Sequence, residues 1–287
     1  MKKGINLLLW TVHPTMAEHA SLLEQIREWG YDGVEFPIGQ TDIAELERLA
    51  RLCDDLGLER TAAGHVDVAT ADPTSSDSAR RLAARKSLRH AIDKAEVIGS
   101  NVLAGPLFQG LGNARPAPPT RDAWKRSVEV IRDAADYAEA RHIRIALEPL
   151  SRFEASLVNT IADGTRFCRE TGSKNVGLLV DTYHANIEED RPADAWRAAS
   201  EVIFHVHISE NHRGVPGRGH AAGPEMFRAL REIGYDDWLT IEAFSRRVEP
   251  LVERFRLWRD YFEREDEVAV DGLRFLRDSW AQSGTDV

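Results

Sequence analysis

The chain alternates short apolar runs with longer amphipathic segments from one end to the other. Apolar runs of about four to eight residues bounded by turn residues are typical of buried strands, and apolar residues spaced three or four apart are typical of helices. The pattern predicts eight strands, at Ile5–Trp10, Gly33–Ile38, Glu59–His65, Asn101–Phe108, Arg144–Leu150, Val176–His184, Val202–Glu210 and Trp238–Phe244. It predicts helices in the gaps, for example at Ala44–Leu56, Ser78–Ile98, Arg121–Ala140, Ile161–Glu170 and Pro224–Ile233.

Eight strands, each followed by a helix, favour an α/β fold of the (β/α)8 barrel type. Several predicted helices end at a glycine, such as Gly30 and Gly99, which readily adopts the left-handed cap conformation. The run Val268–Trp280 predicts an extra helix at the C-terminus. A doubly wound open sheet is the alternative, but no glycine-rich dinucleotide turn follows the first strand. We expect residues 1–287 to form one barrel domain, since about 250 residues is typical of such barrels.

The composition is that of an ordinary globular protein, with 43% hydrophobic and 29% charged residues. The net charge of −10 disfavours a nucleic-acid partner, because phosphate binding needs a basic face. No stretch is long enough to span a membrane, and the apolar run near the N-terminus is too short for a secretory signal. Cys53 and Cys168 form no CxxC pair, and we expect both to be core residues of a reduced, cytoplasmic protein.

Four of the predicted strands carry, near their C-terminal ends, one residue that can bind a metal. These residues are Glu148, Asp181, His207 and Glu242. A carboxylate inside an apolar run is unfavourable unless it is paired, hydrogen-bonded or bound to a metal. Because the C-terminal ends of barrel strands meet at one face, which carries the active site, we expect a single site. His205 shares a strand face with His207, so we expect it to pack one layer deeper or to support the site by hydrogen bonds.

Three carboxylates and one imidazole form a hard, oxygen-rich set of ligands. Such a set suits Mn²⁺, Mg²⁺ or Co²⁺ better than a structural zinc ion, which prefers cysteines. Either histidine taken alone is more simply interpreted as a satisfied core residue. The three acidic neighbours favour a metal site, but the spacing alone does not identify a reaction.

Three runs around these residues resemble one known family. They are Leu147–Glu154, Asp181–Glu189 and His205–Asn211, and they are similar to the ketose 3-epimerases, the D-tagatose and D-psicose 3-epimerase group of the xylose-isomerase-like TIM barrels. The resemblance covers essentially the whole chain, and Asp181–Glu189 is its most specific part. It implies a metal-dependent isomerase, usually with Mn²⁺ or Co²⁺, that inverts C3 of a free ketose of the tagatose, psicose, fructose or ribulose class. It also implies a homodimer or homotetramer.

The resemblance assigns roles to individual residues. It matches Glu148, Asp181, His207 and Glu242 to the metal ligands, and it makes Glu148 and Glu242 the catalytic pair as well. The residues matched to substrate contacts are Glu154, His184, Arg213, Gly64 and His65. Without the resemblance, Arg213 and Glu154 are more simply interpreted as solvated loop charges.

Two glutamates on well-separated strands suit the inversion of one carbon. One carboxylate can remove the C3 proton from one face and the other can deliver a proton to the opposite face, through a cis-enediolate. A divalent cation would polarise the C2 carbonyl and stabilise that intermediate. Arg213 and His184 can stabilise negative charge at O2.

Related activities on the same barrel remain open alternatives. An aldose–ketose isomerase, a hydroxypyruvate isomerase and a keto-inositol dehydratase share the four-ligand pattern, so the product distinguishes them. A non-catalytic sugar-binding barrel is disfavoured by the complete set of ligands.

The end of the substrate remote from the metal is less well determined. The segments Leu9–His13 and Gly105–Gly110 match the family only loosely, so the preferred ketose stays open. Residues proposed only as pocket candidates are Trp10, His13, Phe36 and Phe108. Arg246 and Arg247 follow the eighth strand and can bind a phosphate, but no glycine-rich phosphate cradle is present, so a phosphorylated sugar is the less favoured substrate.

Overall fold

The computed structural model describes residues 1–112 and 118–284, and these contain a closed barrel of eight parallel strands. Numbered β1 to β8 in chain order, the barrel strands are Lys2–Asn6, Gly33–Pro37, Glu59–Ala63, Val102–Gly105, Arg144–Leu147, Val176–Asp181, Ile203–Ile208 and Trp238–Ile241. Each strand pairs with its neighbours in sequence, and β8 closes the barrel by pairing with β1. The predicted (β/α)8 barrel is confirmed.

Ten helices occur in the described part of the chain. Numbered α1 to α10, they are Met16–Trp29, Ile43–Leu56, Ser78–Ile98, Arg121–Glu139, Ile161–Thr171, Thr182–Glu188, Pro192–Ala198, Pro224–Glu232, Glu249–Phe255 and Glu265–Gln282. The predicted C-terminal helix is confirmed as α10, which contacts both α1 and α8 and so completes the outer ring. Gly30 and Gly99, with φ of 93° and 77°, end α1 and α3 in the left-handed conformation that glycine favours.

Two predicted strands were wrong at their ends because a polar side chain starts a helical turn there. β1 stops at Asn6, whose Oδ1 accepts a hydrogen bond from the backbone N–H of Leu8 at 2.9 Å and caps a 3-10 turn. β6 stops at Asp181, whose Oδ1 accepts from the backbone N–H of Tyr183 at 2.6 Å. Such side-chain acceptors are typical N-caps. His184 therefore lies on the short helix α6 instead of on a strand.

The main hydrophobic core lies between the strands and the outer helices. Cys53 and Cys168 are buried free cysteines with the role predicted for them, and burial raises the pKa of each thiol to about 12. No helix within residues 1–112 and 118–284 is both long enough and apolar enough to cross a membrane.

A second, smaller group of apolar side chains lies at the barrel mouth. This mouth cluster consists of Phe244, Val248, Leu251 and Leu257, with Leu8, Val12 and Phe255 packed against it. The rings of Phe244 and Phe255 stack with centroids 4.0 Å apart, so the mouth cluster holds α9 over the end of the barrel.

Another short structure at the mouth is a parallel ribbon formed by Val66–Asp67 and Gly110–Leu111. It draws the segment after β3 against the segment after β4. The glycine- and proline-rich composition of Gln109–Thr120 predicts a long loop, and residues 113–117 of this segment lie outside the described residues.

Candidate metal centre and active site

The four predicted metal ligands meet at the C-terminal end of the barrel. Asp181 ends β6 and His207 lies in β7, whereas Glu148 and Glu242 directly follow β5 and β8. All four side chains are buried, and each offers one ligand atom within 4.8 Å of the others. We call this group the carboxylate cluster.

The orientation of His207 fits it to bind a cation through Nδ1. Its Nε2 lies 2.7 Å from Glu35 Oε1, whereas its buried Nδ1 has no hydrogen-bond partner among the described residues. Nδ1 lies 3.6 Å from Glu242 Oε1 and 4.0 Å from both Glu148 Oε1 and Asp181 Oδ2. The buried nitrogen lacks a hydrogen-bond partner within the described chain and faces three carboxylates. Together, the nitrogen and the carboxylate oxygens form a set of donors that suits a divalent cation. The residues present therefore fit a metal.

Electrostatic effects in the carboxylate cluster shift the pKa values of its two glutamates in opposite directions. Burial raises the pKa of Glu148 well above its ordinary value, and the nearby carboxylate of Glu242 raises it further. Burial acts on Glu242 in the same direction, but His207 and Arg213 outweigh it and lower the pKa of Glu242. Opposite shifts in two neighbouring carboxyl groups are typical of an acid and base pair.

Glu35 is an important residue that the sequence reasoning missed. It is fully buried on β2, and its oxygens accept hydrogen bonds from Asn6 Nδ2 and Thr61 Oγ1, each at 2.9 Å. Glu35 Oε2 also lies 2.8 Å from His205 Nε2. We call Glu35, Asn6, Thr61 and His205 the Glu35 network.

The Glu35 network lies directly below His207 and orients it. His205, on the same face of β7, is the deeper of the two histidines, as predicted. Burial would raise the pKa of Glu35, but His207 and His205 outweigh it and hold that pKa below its ordinary value. Glu35, His205 and His207 also lie close enough to hold an ion. However, direct hydrogen bonds already use both Glu35 oxygens, so the geometry favours support of His207 over a second metal site.

Arg213 reaches from the loop after β7 into the carboxylate cluster. Its Nη1 donates to Asp181 Oδ2 and to Glu242 Oε2, each at 2.9 Å. The guanidinium lies over the ring of Tyr183, 3.8 Å from the centroid. The backbone of Arg213 has φ of 58°, a conformation that non-glycine residues seldom adopt. The predicted substrate contact is thus a buried part of the site, not a solvated loop charge.

His184 places a second donor beside Arg213. Its Nδ1 accepts from the backbone N–H of Ser151 at 2.9 Å, and burial together with Arg213 lowers its pKa to about 3. A neutral imidazole that accepts at Nδ1 carries its proton on Nε2. Nε2 lies 3.0 Å from Arg213 Nη2 and 3.7 Å from Glu148 Oε1. Two neighbouring N–H donors of this kind suit an oxygen on which negative charge develops.

A cavity of about 620 Å³ opens beside the carboxylate cluster, and the remaining predicted contacts line it. Gly64, His65 and Glu154 are in its wall together with His184 and Arg213. Burial raises the pKa of Glu154, against the opposing effect of Arg213. All five predicted substrate contacts therefore lie at one cavity, although their roles stay predictions.

The pocket candidates outside this set were wrong, because none of them lines the cavity. Phe36 and Phe108 are fully buried in the main core, since the residue before Phe36 faces the barrel interior and alternation turns Phe36 toward the helices. Trp10 stacks on Trp29, with ring centroids 6.4 Å apart. His13 also lies away from the cavity wall.

The arginine pair after β8 makes no contribution to the cavity wall. Arg246 lies 3.4 Å from Asp260, and Arg247 lies 2.9 Å from Glu265. Both are exposed residues in surface ion pairs, and such pairs contribute little to stability. The structure therefore removes the reason for expecting a phosphate there.

Comparison with known proteins agrees with this geometry. The family model described as the xylose isomerase-like TIM barrel matches residues 23–279. The L-ribulose 3-epimerase of Mesorhizobium japonicum is 35% identical over 281 residues, which cover 95% of this chain and 92% of that protein. The D-psicose 3-epimerase of Agrobacterium fabrum is 31% identical, with 96% and 98% of the two chains covered.

A solved structure shows the same likeness in three dimensions. The D-allulose 3-epimerase from Methylomonas sp., in complex with D-allulose, superposes with a TM-score of 0.91 at 31% identity, covering 97% of each chain. The fold, the length and the sequence of these proteins thus agree with the present chain along almost its entire extent. The chain belongs to the ketose 3-epimerases, within the xylose isomerase-like TIM barrel family.

Proposed function

We propose that the protein inverts C3 of a free ketose such as psicose or ribulose. The observation that carries this proposal is the carboxylate cluster, in which Glu148 and Glu242 rise from strands three positions apart in the barrel and share one site. Relatives named for 3-epimerisation of psicose and ribulose support the same reaction.

Glu148, Asp181, His207 and Glu242 would hold the divalent cation, with Mn²⁺ as the expected metal and Co²⁺ or Mg²⁺ as alternatives. When bound, it would polarise the C2 carbonyl and lower the energy of negative charge on the adjacent oxygens. The Nδ1 of His207, for which the described part of the chain offers no hydrogen-bond partner, supports this assignment.

Glu148 and Glu242 move the proton. One carboxylate takes the C3 proton, and the electron pair of that C–H bond becomes part of a cis-enediolate over C2 and C3. The other carboxyl group returns a proton to the opposite face of C3, which completes the inversion. The opposite pKa shifts of Glu148 and Glu242 support different roles for the two groups, one as the base and the other as the acid.

Arg213 and His184 orient the carbonyl end of the ketose. Their adjacent N–H donors would face O2 and stabilise the charge that develops on it. Glu154 would accept a hydrogen bond from a hydroxyl at the same end, and Gly64 and His65 would contact the sugar across the cavity. All five line the same space.

The test is proton exchange followed by NMR. The Mn²⁺-loaded protein is incubated in D₂O with D-psicose and with L-ribulose, and chelator-treated protein serves as the control. We expect deuterium at C3 together with the C3 epimer. Deuterium at C1 would favour the aldose–ketose isomerase instead, and loss of water would favour the dehydratase.

We also propose that residues 1–287 form one domain that assembles as a homodimer or homotetramer. Phe153 and Trp258 support assembly, because they are large apolar side chains with 65% and 66% exposure. Sedimentation analysis of the purified protein tests this, and a monomer at micromolar concentration would contradict it. A cytoplasmic location is the expectation that agrees with two reduced cysteines.

A further inference from the structure

Arg254 has no role in the steps above, and it forms a polar pair with His65 in the cavity wall. Arg254 lies on α9, and its Nη1 is 3.1 Å from Nε2 of His65, which lies just beyond the end of β3. Both residues line the 620 Å³ cavity. Within residues 1–112 and 118–284, no carboxylate forms an ion pair with Arg254, whereas Arg213 in the same cavity wall forms two.

The pair lies across the mouth from the metal ligands. In the closed barrel, β3 is the strand opposite β7, which carries His207, and the ligands come from β5 to β8. A ketose held at C2 and C3 by the carboxylate cluster therefore extends its remaining carbons toward the β3 side of the cavity.

The pair presents only hydrogen-bond donors to a ligand. Burial and the neighbouring Arg254 lower the pKa of His65 to about 4, so the imidazole is neutral at pH 7. Nε2 then accepts from Arg254, which leaves the proton on Nδ1. The donors left over are the other N–H groups of Arg254 and the Nδ1–H of His65. A group with several donors recognises a ligand end rich in oxygen acceptors.

The surrounding charges decide which acceptors fit. Asp67, Glu154 and Glu253 line the same cavity, and Asp67 and Glu154 act electrostatically on Arg254. The negative charge of these carboxylates disfavours a ligand with an anionic end, such as a sugar phosphate. A hydroxyl group satisfies both sides, because it accepts from Arg254 and donates to a carboxylate.

We propose that Arg254, paired with His65, binds the hydroxyl groups at the end of the ketose remote from C3 and selects a neutral polyol end over a deoxygenated or phosphorylated one. This inference rests on the proposed function for the position of C3, and it names the substrate class of the same site. Arg254 becomes the residue that determines specificity at the distal end.

The experiment compares D-psicose with its 6-deoxy analogue and its 6-phosphate. Values of kcat/KM are measured for the wild type, for Arg254→Met, which keeps much of the apolar stem, and for Arg259→Met, which removes an exposed arginine outside the cavity. We expect the wild type to prefer psicose over the 6-deoxy analogue by about tenfold or more, since a charged donor otherwise loses its acceptor. Arg254→Met should bring that ratio close to one, and Arg259→Met should leave it unchanged.

Calorimetry measures the affinity of the Mn²⁺-loaded wild type for the same sugars. The ratio of the affinities for psicose and its 6-deoxy analogue then tests the inference without a variant and without relying on turnover. An equal affinity for psicose and its 6-deoxy analogue would overturn the inference, as would an unchanged ratio in a folded Arg254→Met or a preference for the 6-phosphate. Absence of C3 exchange in every ketose would instead contradict the proposed function, so the two fail separately.

Discussion

The carboxylate cluster and the Glu35 network lie in adjacent layers of one barrel interior, yet the charges of their carboxylates are balanced in different ways. Both contain buried carboxylates and a histidine from β7. In the Glu35 network, both oxygens of the central carboxylate accept direct hydrogen bonds. In the carboxylate cluster, three carboxylates surround an imidazole nitrogen that has no hydrogen-bond partner among the described residues.

The difference shows how a folded chain separates support from chemistry. Buried polar groups with partners are stable in place and fix the orientation of their neighbours. Buried like charges without enough partners are unfavourable unless a ligand neutralises them. Two layers of the same barrel can therefore contain similar residues and still differ in function, and variants that act on one layer alone test this interpretation.

The largest effect is expected in the carboxylate cluster. Glu242→Gln keeps the size of the side chain and removes its ability to take a proton, so kcat should fall by about 10³-fold. NMR of deuterium entering C3 measures the change. Glu253→Gln, at an exposed carboxylate in the same cavity wall, removes the same charge but keeps an oxygen that accepts a hydrogen bond, so as the matched control it should lose far less activity. Comparable loss in both variants would mean that the cavity charge matters more than a specific carboxylate.

Metal binding to the carboxylate cluster should stabilise the folded protein. Mn²⁺ at 100 times its Kd should raise the free energy of unfolding by about 2.7 kcal/mol, and a chelator should reverse the change. Urea unfolding of the wild type and of His207→Gln measures it. An equal increase in His207→Gln would show that the ion binds elsewhere.

A smaller effect is expected from the Glu35 network. Glu35→Gln weakens the acceptor that orients His207, so the Kd for Mn²⁺ should rise by about 10-fold to 100-fold. Calorimetry measures the change. Thr61→Val removes one hydrogen bond to Glu35 and leaves the contact with His207, so it should reduce stability by about 1 kcal/mol with little change in Kd. If Glu35→Gln binds Mn²⁺ as tightly as the wild type, the Glu35 network does not orient His207 for metal binding.

The smallest effect is expected at His65, which lies outside both layers. Its pKa is about 4 in the folded protein and about 6.5 in an unfolded chain. The unfolded state therefore binds a proton that the folded state does not, and stability is lost as pH falls from 6.5 toward 4. Neighbouring groups desolvate the His65 ring, but a substantial part of its surface stays exposed, so screening keeps the loss below about 1 kcal/mol. Urea midpoints against pH should fall less steeply for His65→Asn than for the wild type.

The sequence predicted the barrel and the gathering of the four ligands because both depend on local patterns. Alternation of apolar runs with amphipathic ones defines strands and helices, and a carboxylate at a strand end is a conspicuous exception to that pattern. Glu35 shows the limit of this reasoning. It interrupts an apolar run in the same way, but it lies within the strand instead of near its end.

Contacts between residues far apart in the chain could not be predicted from local sequence patterns. Arg254 sits in a charged segment that resembles a solvated helix face, and its contact with His65 joins residues far apart in the chain. The position of Phe36 depended on which strand face points inward, which is set by the register of the barrel, and Phe108 lies in a turn beyond the end of β4. The prediction of His184 at the end of a strand was wrong, because Asp181 caps a helix that begins before His184.

The mouth cluster has a dynamic consequence. Its apolar side chains pack as a group apart from the main core, so we expect α9 to open locally at a lower free energy than the barrel strands. Amide hydrogens of Glu249–Phe255 should then exchange with solvent far sooner than those of β5 to β8. We expect such an opening of these seven residues to carry Arg254 away from His65 and to widen the mouth of the cavity, while the strands that position the carboxylates stay folded.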